Sequence, residues 1–227
     1  MSAPLFVEIE YAQTQKHGEA SCGDAFRSQK MAAEHRAIAV LSDGLGSGLK
    51  ASILANMTAT MALKFVASDS DLLHSVEIIM DALPVCKTRK ISYATFTIID
   101  SKPESGTHIV EMGNPPVILV RDGQVHELEF RELVSPRWKD RTMRVYDVET
   151  LPEDRIIVVS DGITQSGLGS EALKLGWRRK GCADFILDLV RRNPSLSATT
   201  LARQVLFQAL HKGKDNQPED DMTCAVF

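Results

Sequence analysis

The chain has 227 residues, 44% of them hydrophobic and 25% charged, with a formal net charge of −4. That length and balance suit a single globular domain with a sizeable core and exclude extensive disorder. The mild acidity argues against a nucleic-acid partner, which requires a basic face. The opening "MSAPLFVEIEYAQ" has no basic stretch followed by a long apolar run, so no signal peptide is expected. The most apolar stretch, "ASILANMTATMALKFVA", is interrupted by Asn56, threonines and Lys64, too polar for a membrane span. A cytoplasmic protein is expected. Cys22, Cys86, Cys182 and Cys224 are widely spaced, which speaks against a zinc knuckle or disulfide framework. Cys22 stands two residues before Asp24, where a redox role competes with the simpler reading of a reduced thiol.

In chain order, residues 5–13 alternate and are rich in β-formers, which predicts an opening strand. Residues 36–43, "RAIAVLSD", are almost uninterrupted by polar groups and predict a central strand. From Ser47 the period changes: Leu49, Ile53, Met57, Met61 and Phe65 recur every fourth residue, predicting a helix with that stripe in the core. Leu72, Val76, Ile79, Met80 and Leu83 predict a second helix, stopped by Pro84. Strand patterns then follow at 91–100, 107–113, 116–123, 124–130, 142–149 and 154–161, with a hairpin at Asp122-Gly123. Helices are predicted at 182–193 and from about 198 to 211, and the final "DMTCAVF" reads as a closing strand. Residues 101–106 and 213–220 read as exposed loops. The order is α+β rather than the alternation of a parallel sheet. It predicts a core of two mostly antiparallel sheets with helices on both faces, in one domain spanning residues 1–227.

Acidic residues mark the strand ends. "LSDG" at 41–44 and "VSDG" at 159–162 place Asp43 and Asp161 at the exits of two buried runs. Asp24 lies in "SCGDAF", and Asp220 and Asp221 lie in "EDDMT", just before the last strand. A carboxylate at the end of a buried strand is costly unless paired, hydrogen-bonded or bound to a cation. Neither Asp-Gly has an arginine or histidine beside it. Oxygen donors from distant segments are the set that Mg2+ or Mn2+ prefers, and glycine after aspartate lets the Gly44 carbonyl approach as a further ligand. A single Asp-Gly after a strand is usually only a turn; two of them, with further aspartates early and late, favour the metal reading. Nucleotide binding is weaker. "DGLGSG" spaces its glycines G-x-G-x-G rather than G-x-G-x-x-G, and no P-loop motif occurs.

The segments "GDAF", "AVLSDGLGSGLKAS", "YATFTIID", "GNPPVILVRDG", "IIVVSDGI" and "EDDMTCAVF" resemble, in this order, metal-dependent serine/threonine phosphatases of type 2C, most closely their bacterial SpoIIE-like branch. The resemblance covers nearly the whole chain and leaves no room for an attached sensor domain, as in single-domain members that reset stressosome proteins. It implies an α-β-β-α sandwich with two ions, Mn2+ or Mg2+. Asp43 would bridge the ions, the Gly44 carbonyl would bind one, and Asp161 and Asp220 would hold the other. Asp24 would act directly or through water, and Asp221 stands where many relatives have asparagine. Asp43 and Asp161 would then serve catalysis through a hydroxide bridging ions about 3.5–4 Å apart. The implied substrates are phosphoserine or phosphothreonine proteins carrying a STAS domain, namely anti-sigma-factor antagonists or stressosome components.

Alternatives are a type 2C phosphatase of other substrate range and a non-catalytic binding module of the same fold. Two family features are absent: Leu45 replaces a histidine, and the phosphate-gripping arginine has no counterpart, Lys16 and Glu19 standing in that stretch. The branch commonly lacks both. His17 is a candidate proton donor, with a solvated surface histidine as the plainer reading. The basic clusters "KTRK" (87–90) and "RRK" (178–180) are candidate docking patches for a phosphoprotein. The first helix pair directly follows Asp43 and Gly44 and is a candidate switch element.

Overall fold

A computed structural model describes residues 6–68, 71–83, 94–102, 105–135, 138 and 141–227. "KTRK", Cys86 and Pro84 lie outside them. Two sheets form. One contains β2 (Asp24–Met31), β3 (Arg36–Gly44), β4 (Ala94–Lys102), β5 (Gly106–Met112), β9 (Thr142–Val148) and β8 (Arg131–Val134), in that spatial order. The other contains β1 (Glu10–Thr14), β11 (Met222–Val226), β10 (Arg155–Val159), β6 (Ile118–Arg121) and β7 (Gln124–His126). The strand pairs are antiparallel throughout both sheets.

Burial follows this layering. Between the sheets lie Phe26, Leu41, Ile99, Ile109, Leu119, Ile156 and Val158. The outer face of the first sheet is covered by α1 (Gly48–Ser68) and α2 (Leu72–Ala82), whose Val66, Val76, Ile79 and Met80 meet Ile38, Val40, Phe96 and Ile98. The outer face of the second is covered by α4 (Arg178–Arg192) and α5 (Ala198–Lys212). Alternate residues of each central strand therefore enter different cores, and β3 reads as unbroken apolar sequence because both its faces are covered. The result is the expected four-layer α-β-β-α sandwich. No helix among the described residues is long and apolar enough to cross a membrane.

Local sequence explains the helix limits. Asp71 opens α2 by accepting the N–H groups of Leu73 and His74 at 2.9 and 3.2 Å, and Ser197 opens α5 by accepting that of Thr200 at 3.2 Å. The end of α1 is fixed by a buried ion pair. Arg36 grips both oxygens of Asp100 at 2.7 and 2.9 Å and donates to the Val66 carbonyl at 2.6 Å. A buried guanidinium is tolerated here because each hydrogen bond has a fixed acceptor.

Several sequence expectations shift. Among the described residues the opening strand begins at Glu10, leaving residues 6–9 outside it, because its partner there, β11, reaches only to Val226 opposite Glu10. The expected core stripe of the first helix is displaced. Leu49, Ile53 and Met57 are 68%, 49% and 65% exposed, while Ala51, Ala55, Ala59 and Ala62 face the sheet. Small residues let α1 lie close on β2 and β3, and the larger side chains point outward; only Met61 and Phe65 of the stripe pack against the core. Strands β2 and β8 escape the sequence pattern, being edge strands with exposed polar residues. Strand β10 stops at Val159, short of the expected residue 161, and Asp161 opens a single helical turn, α3 (Asp161–Thr164).

Candidate metal centre

Antiparallel register assembles the first half of the centre. In the β2–β3 pair, Asp24 lies directly opposite Asp43. The second sheet supplies the rest from the ends of β10 and β11: Asp161 just after β10, and Asp220 and Asp221 just before β11. The two Ser-Asp-Gly repeats are built alike. Each serine ties its strand end to a neighbouring strand: Ser42 donates to the Thr95 carbonyl at 2.8 Å, and Ser160 accepts the Thr223 N–H at 2.9 Å. Each glycine permits a close approach. A Cβ on Gly44 would meet the Ala51 carbonyl at 2.1 Å, and one on Gly162 would meet the Asp221 carbonyl at 2.0 Å. Glycine at 44 therefore lets the β3 exit lie against α1, and glycine at 162 lets Asp161 lie against the Asp220–Asp221 segment.

Asp24 is 3% exposed. Its Oδ2 accepts the Thr223 hydroxyl at 2.7 Å, while its Oδ1 is buried without a hydrogen-bond partner. Burial pushes this carboxyl up to about 7, against the hydroxyls of Thr223 and Ser160, with the charges of Asp221 and Asp161 adding to the rise. Asp43 is driven to about 9, first by burial and then by the charges of Asp24, Asp161 and Asp220; its carboxyl also hydrogen-bonds that of Asp161. Asp161 is oriented by Gln165, whose Nε2 donates to it at 2.9 Å. Asp220 is raised by burial, opposed by the Asp221 N–H and by the charge of Lys16. Asp221 is 4% exposed, and its Oδ1 accepts the Lys16 N–H at 3.0 Å.

The structure thus brings Asp24, Asp43, Gly44, Asp161, Asp220 and Asp221 to one end of the sandwich. Among the described residues, no three His, Cys, Asp or Glu side chains are arranged to enclose an ion. The donor chemistry nonetheless fits hard divalent cations. The cluster is all oxygen, it includes a buried carboxylate oxygen with no partner, and burial together with neighbouring carboxylates raises Asp24 and Asp43 well above the usual carboxylate range.

Residues 33–227 match the family model described as stage II sporulation protein E (SpoIIE). The chain belongs to the SpoIIE family. Stage II sporulation protein E of Bacillus subtilis (strain 168) is 26% identical over 217 residues, which cover 95% of this chain and 25% of that protein. The chain therefore spans about a quarter of the length of this curated relative. The solved PP2C phosphatase domain of Bacillus subtilis SpoIIE, with a fragment of its regulatory domain, superposes with a TM-score of 0.75 at 21% identity over 96% of this chain and 60% of that one. RsbX in complex with magnesium superposes with a TM-score of 0.61 at 17% identity over 96% of this chain and 92% of that one. At these identities the solved structures establish the PP2C fold.

Other candidates of this SpoIIE-family chain are placed as well. Burial, then the charge of Asp24, pushes the Cys22 thiol up to about 12, which leaves it a protonated thiol rather than a reactive thiolate. His17 is exposed and fixed only through its N–H, which donates to the Pro218 carbonyl at 2.9 Å. In the "RRK" cluster, Arg179 holds the carbonyls of Pro116 and Val117 and the carboxylate of Glu127, while Arg178 and Lys180 are exposed, Lys180 pairing with Asp184 on the surface. The supporting residues Ser160, Thr223 and Gln165 were not singled out from sequence. The repeated serine before Asp-Gly was the available signal for Ser160; Thr223 and Gln165 show their role only once β10 and β11 are paired.

Proposed function

We propose that this SpoIIE-family chain is a Mn2+- or Mg2+-dependent protein phosphatase that hydrolyses phosphoserine or phosphothreonine. The observation that carries the reading is the convergence of Asp24 and Asp43, paired across one sheet, with Asp161 and Asp220 from the other. Asp43, the Gly44 carbonyl, Asp161 and Asp220 would hold the ions, with Asp24 supporting them directly or through water. Asp220 suits a ligand role better than Asp221 because its charge acts on Asp43 and its side chain is half-buried where Asp221 is buried. When bound, the ions supply Lewis-acid activation of water and positive charge for the phosphoryl oxygens.

The chain's own residues fix the donors in advance. Thr223 and Ser160 steer Asp24, and Gln165 steers Asp161. Asp43, raised to about 9 by burial and the neighbouring carboxylates, would have to release its proton to hold an ion. Water adds to phosphorus as the bond to the serine or threonine oxygen breaks, giving inorganic phosphate and the free hydroxyl. No side-chain nucleophile is required, in keeping with a Cys22 held as thiol. The substrates we infer are STAS-domain proteins, anti-sigma-factor antagonists or stressosome components, consistent with the structural likeness to RsbX.

The test is hydrolysis of a small aryl phosphate and of a phosphorylated STAS-domain protein, with and without Mn2+, beside Asp161→Asn. Activity should require Mn2+ and fall at least ~100-fold in the variant. A wild-type protein that binds Mn2+ tightly yet hydrolyses neither substrate would instead support a binding module.

A further inference from the structure

The chain crosses from the first sheet to the second at residues 113–117, between β5 and β6. On one side, β5 pairs with β4, which lies against β3 and Asp43. On the other, β6 pairs with β10, whose exit carries Asp161. The crossover therefore connects the two halves of the acidic centre. Hydrogen bonds anchor it along its length. Asn114, 7% exposed, accepts the Thr95 hydroxyl with its Oδ1. Its Nδ2 donates to the Thr97 hydroxyl at 3.1 Å and, at a longer 3.5 Å, to the Leu41 carbonyl. Further on, the Val117 N–H donates to Glu111 at 2.6 Å, and Arg179 donates to the Pro116 and Val117 carbonyls at 3.1 and 2.9 Å. Register puts the partners of Asn114 behind the centre. Thr95 stands opposite Asp43, and Thr97 opposite Leu41, in the β3–β4 pair. Opposed residues, and residues two apart on a strand, share one face of a sheet, so these four side chains line the face on which Leu41 enters the inter-sheet core. A Cβ on Gly113 would meet the Thr95 side chain at 2.6 Å, so glycine there lets the crossover close on this face.

We propose that Asn114 is a positioning residue for the metal centre, holding the exit of β3, and Asp43 with it, against the crossover that leads to Asp161. This rests on the metal-dependent reading above. An amide suits the task because it offers an acceptor to Thr95 and a donor to Thr97 at once, and it adds no charge beside the crowded carboxylates. Alanine at 114 would leave both hydroxyls without this partner. Asn114 touches neither ion nor substrate in this role; it acts through Thr95, Thr97 and β3.

The experiment measures Mn2+ affinity by calorimetry, the urea midpoint of the metal-free chain, and kcat and KM for an aryl phosphate. The proteins are wild type, Asn114→Ala, Thr95→Val, Thr95→Ser and Thr107→Val. The last is a control for lost stability: the buried Thr107 hydroxyl bonds those of Ser101 and Thr150 at the opposite end of β4 and β5. Asn114→Ala and Thr95→Val should each weaken Mn2+ binding about 10- to 100-fold. They should lower kcat at subsaturating Mn2+, leave KM for the aryl phosphate near its wild-type value, and regain kcat in excess Mn2+. Thr95→Ser keeps the hydroxyl and should restore most of the Mn2+ affinity. Thr107→Val should lose stability and bind Mn2+ as wild type does. If Asn114→Ala fails to fold, the comparison of Thr95→Val with Thr95→Ser decides. Undiminished Mn2+ affinity in folded Asn114→Ala or Thr95→Val overturns this inference alone, as does a loss in Thr107→Val that matches theirs. Wild type that neither binds Mn2+ nor hydrolyses phosphate esters overturns the proposed function, and this inference with it.

Discussion

Glu111 lies outside the acidic centre and is only 2% exposed. Its carboxylate receives the Val117 N–H and the Tyr146 hydroxyl, each at 2.6 Å. Both bonds favour the ionised form, yet burial outweighs them and lifts the group from 4.5 to about 7. The folded chain therefore keeps a proton that the unfolded chain has lost. This contribution is fully present below the unfolded value of 4.5 and is lost as pH rises toward about 7. Over that window the group's term should weaken by on the order of 3 kcal/mol. Glu111→Gln should abolish that slope, so urea unfolding followed from pH 4.5 to 7.5 should show wild type losing stability relative to the variant. Parallel curves for the two proteins would contradict the assigned burial cost. The same physics acts more strongly on Asp43, where crowded carboxylates add to burial. At Glu111 the fold supplies fixed dipoles; at Asp43 it supplies further carboxylates.

At the scale of elements, α1 separates what pattern reveals from what packing decides. A four-residue repeat of large apolar side chains is a sound helix signal, and the helix is there. The repeat does not say which face meets the sheet. The neighbouring row of Ala51, Ala55, Ala59 and Ala62 faces it instead, because small side chains allow a closer approach than Leu49, Ile53 and Met57 would. Met57→Ala should therefore change stability by no more than about 0.5 kcal/mol. Ala59→Leu, which forces bulk into a fully buried position, should cost about 1–3 kcal/mol. Denaturant midpoints for the two variants check this, and the reverse ranking would restore the large residues to the core. Strand β2 fails for a related reason. Arg27, Ser28 and Lys30 are exposed on an edge, so the stretch lacks both alternation and an apolar run, although its first residue, Asp24, was legible as an acidic landmark.

For the whole molecule, fold class was readable because each central strand is covered on both faces and each helix keeps an apolar side, properties written into local sequence. The candidate ligands were readable because aspartate at the exit of a buried strand violates local preference. Their convergence was not. Asp43 meets Asp161 only because two sheets stack with the exits of β3 and β10 at the same end, and no periodicity encodes that stacking; the family resemblance supplied it. Two sheets contributing carboxylates to one end, with Asp24, Asp161, Asp220 and Asp221 held by hydroxyl or amide donors, make the centre a property of the sandwich as a unit. Filling it should therefore bind cations, release protons and stabilise the entire chain at once. The most direct measurement is calorimetric titration of metal-free protein with Mn2+ in two buffers of different ionisation enthalpy, beside Asp43→Asn. The account predicts two ions bound, proton release that grows as pH is lowered from about 9, and loss of the bridged pair in the variant. Absence of Mn2+ binding to wild type, or binding that Asp43→Asn leaves unchanged, would contradict it.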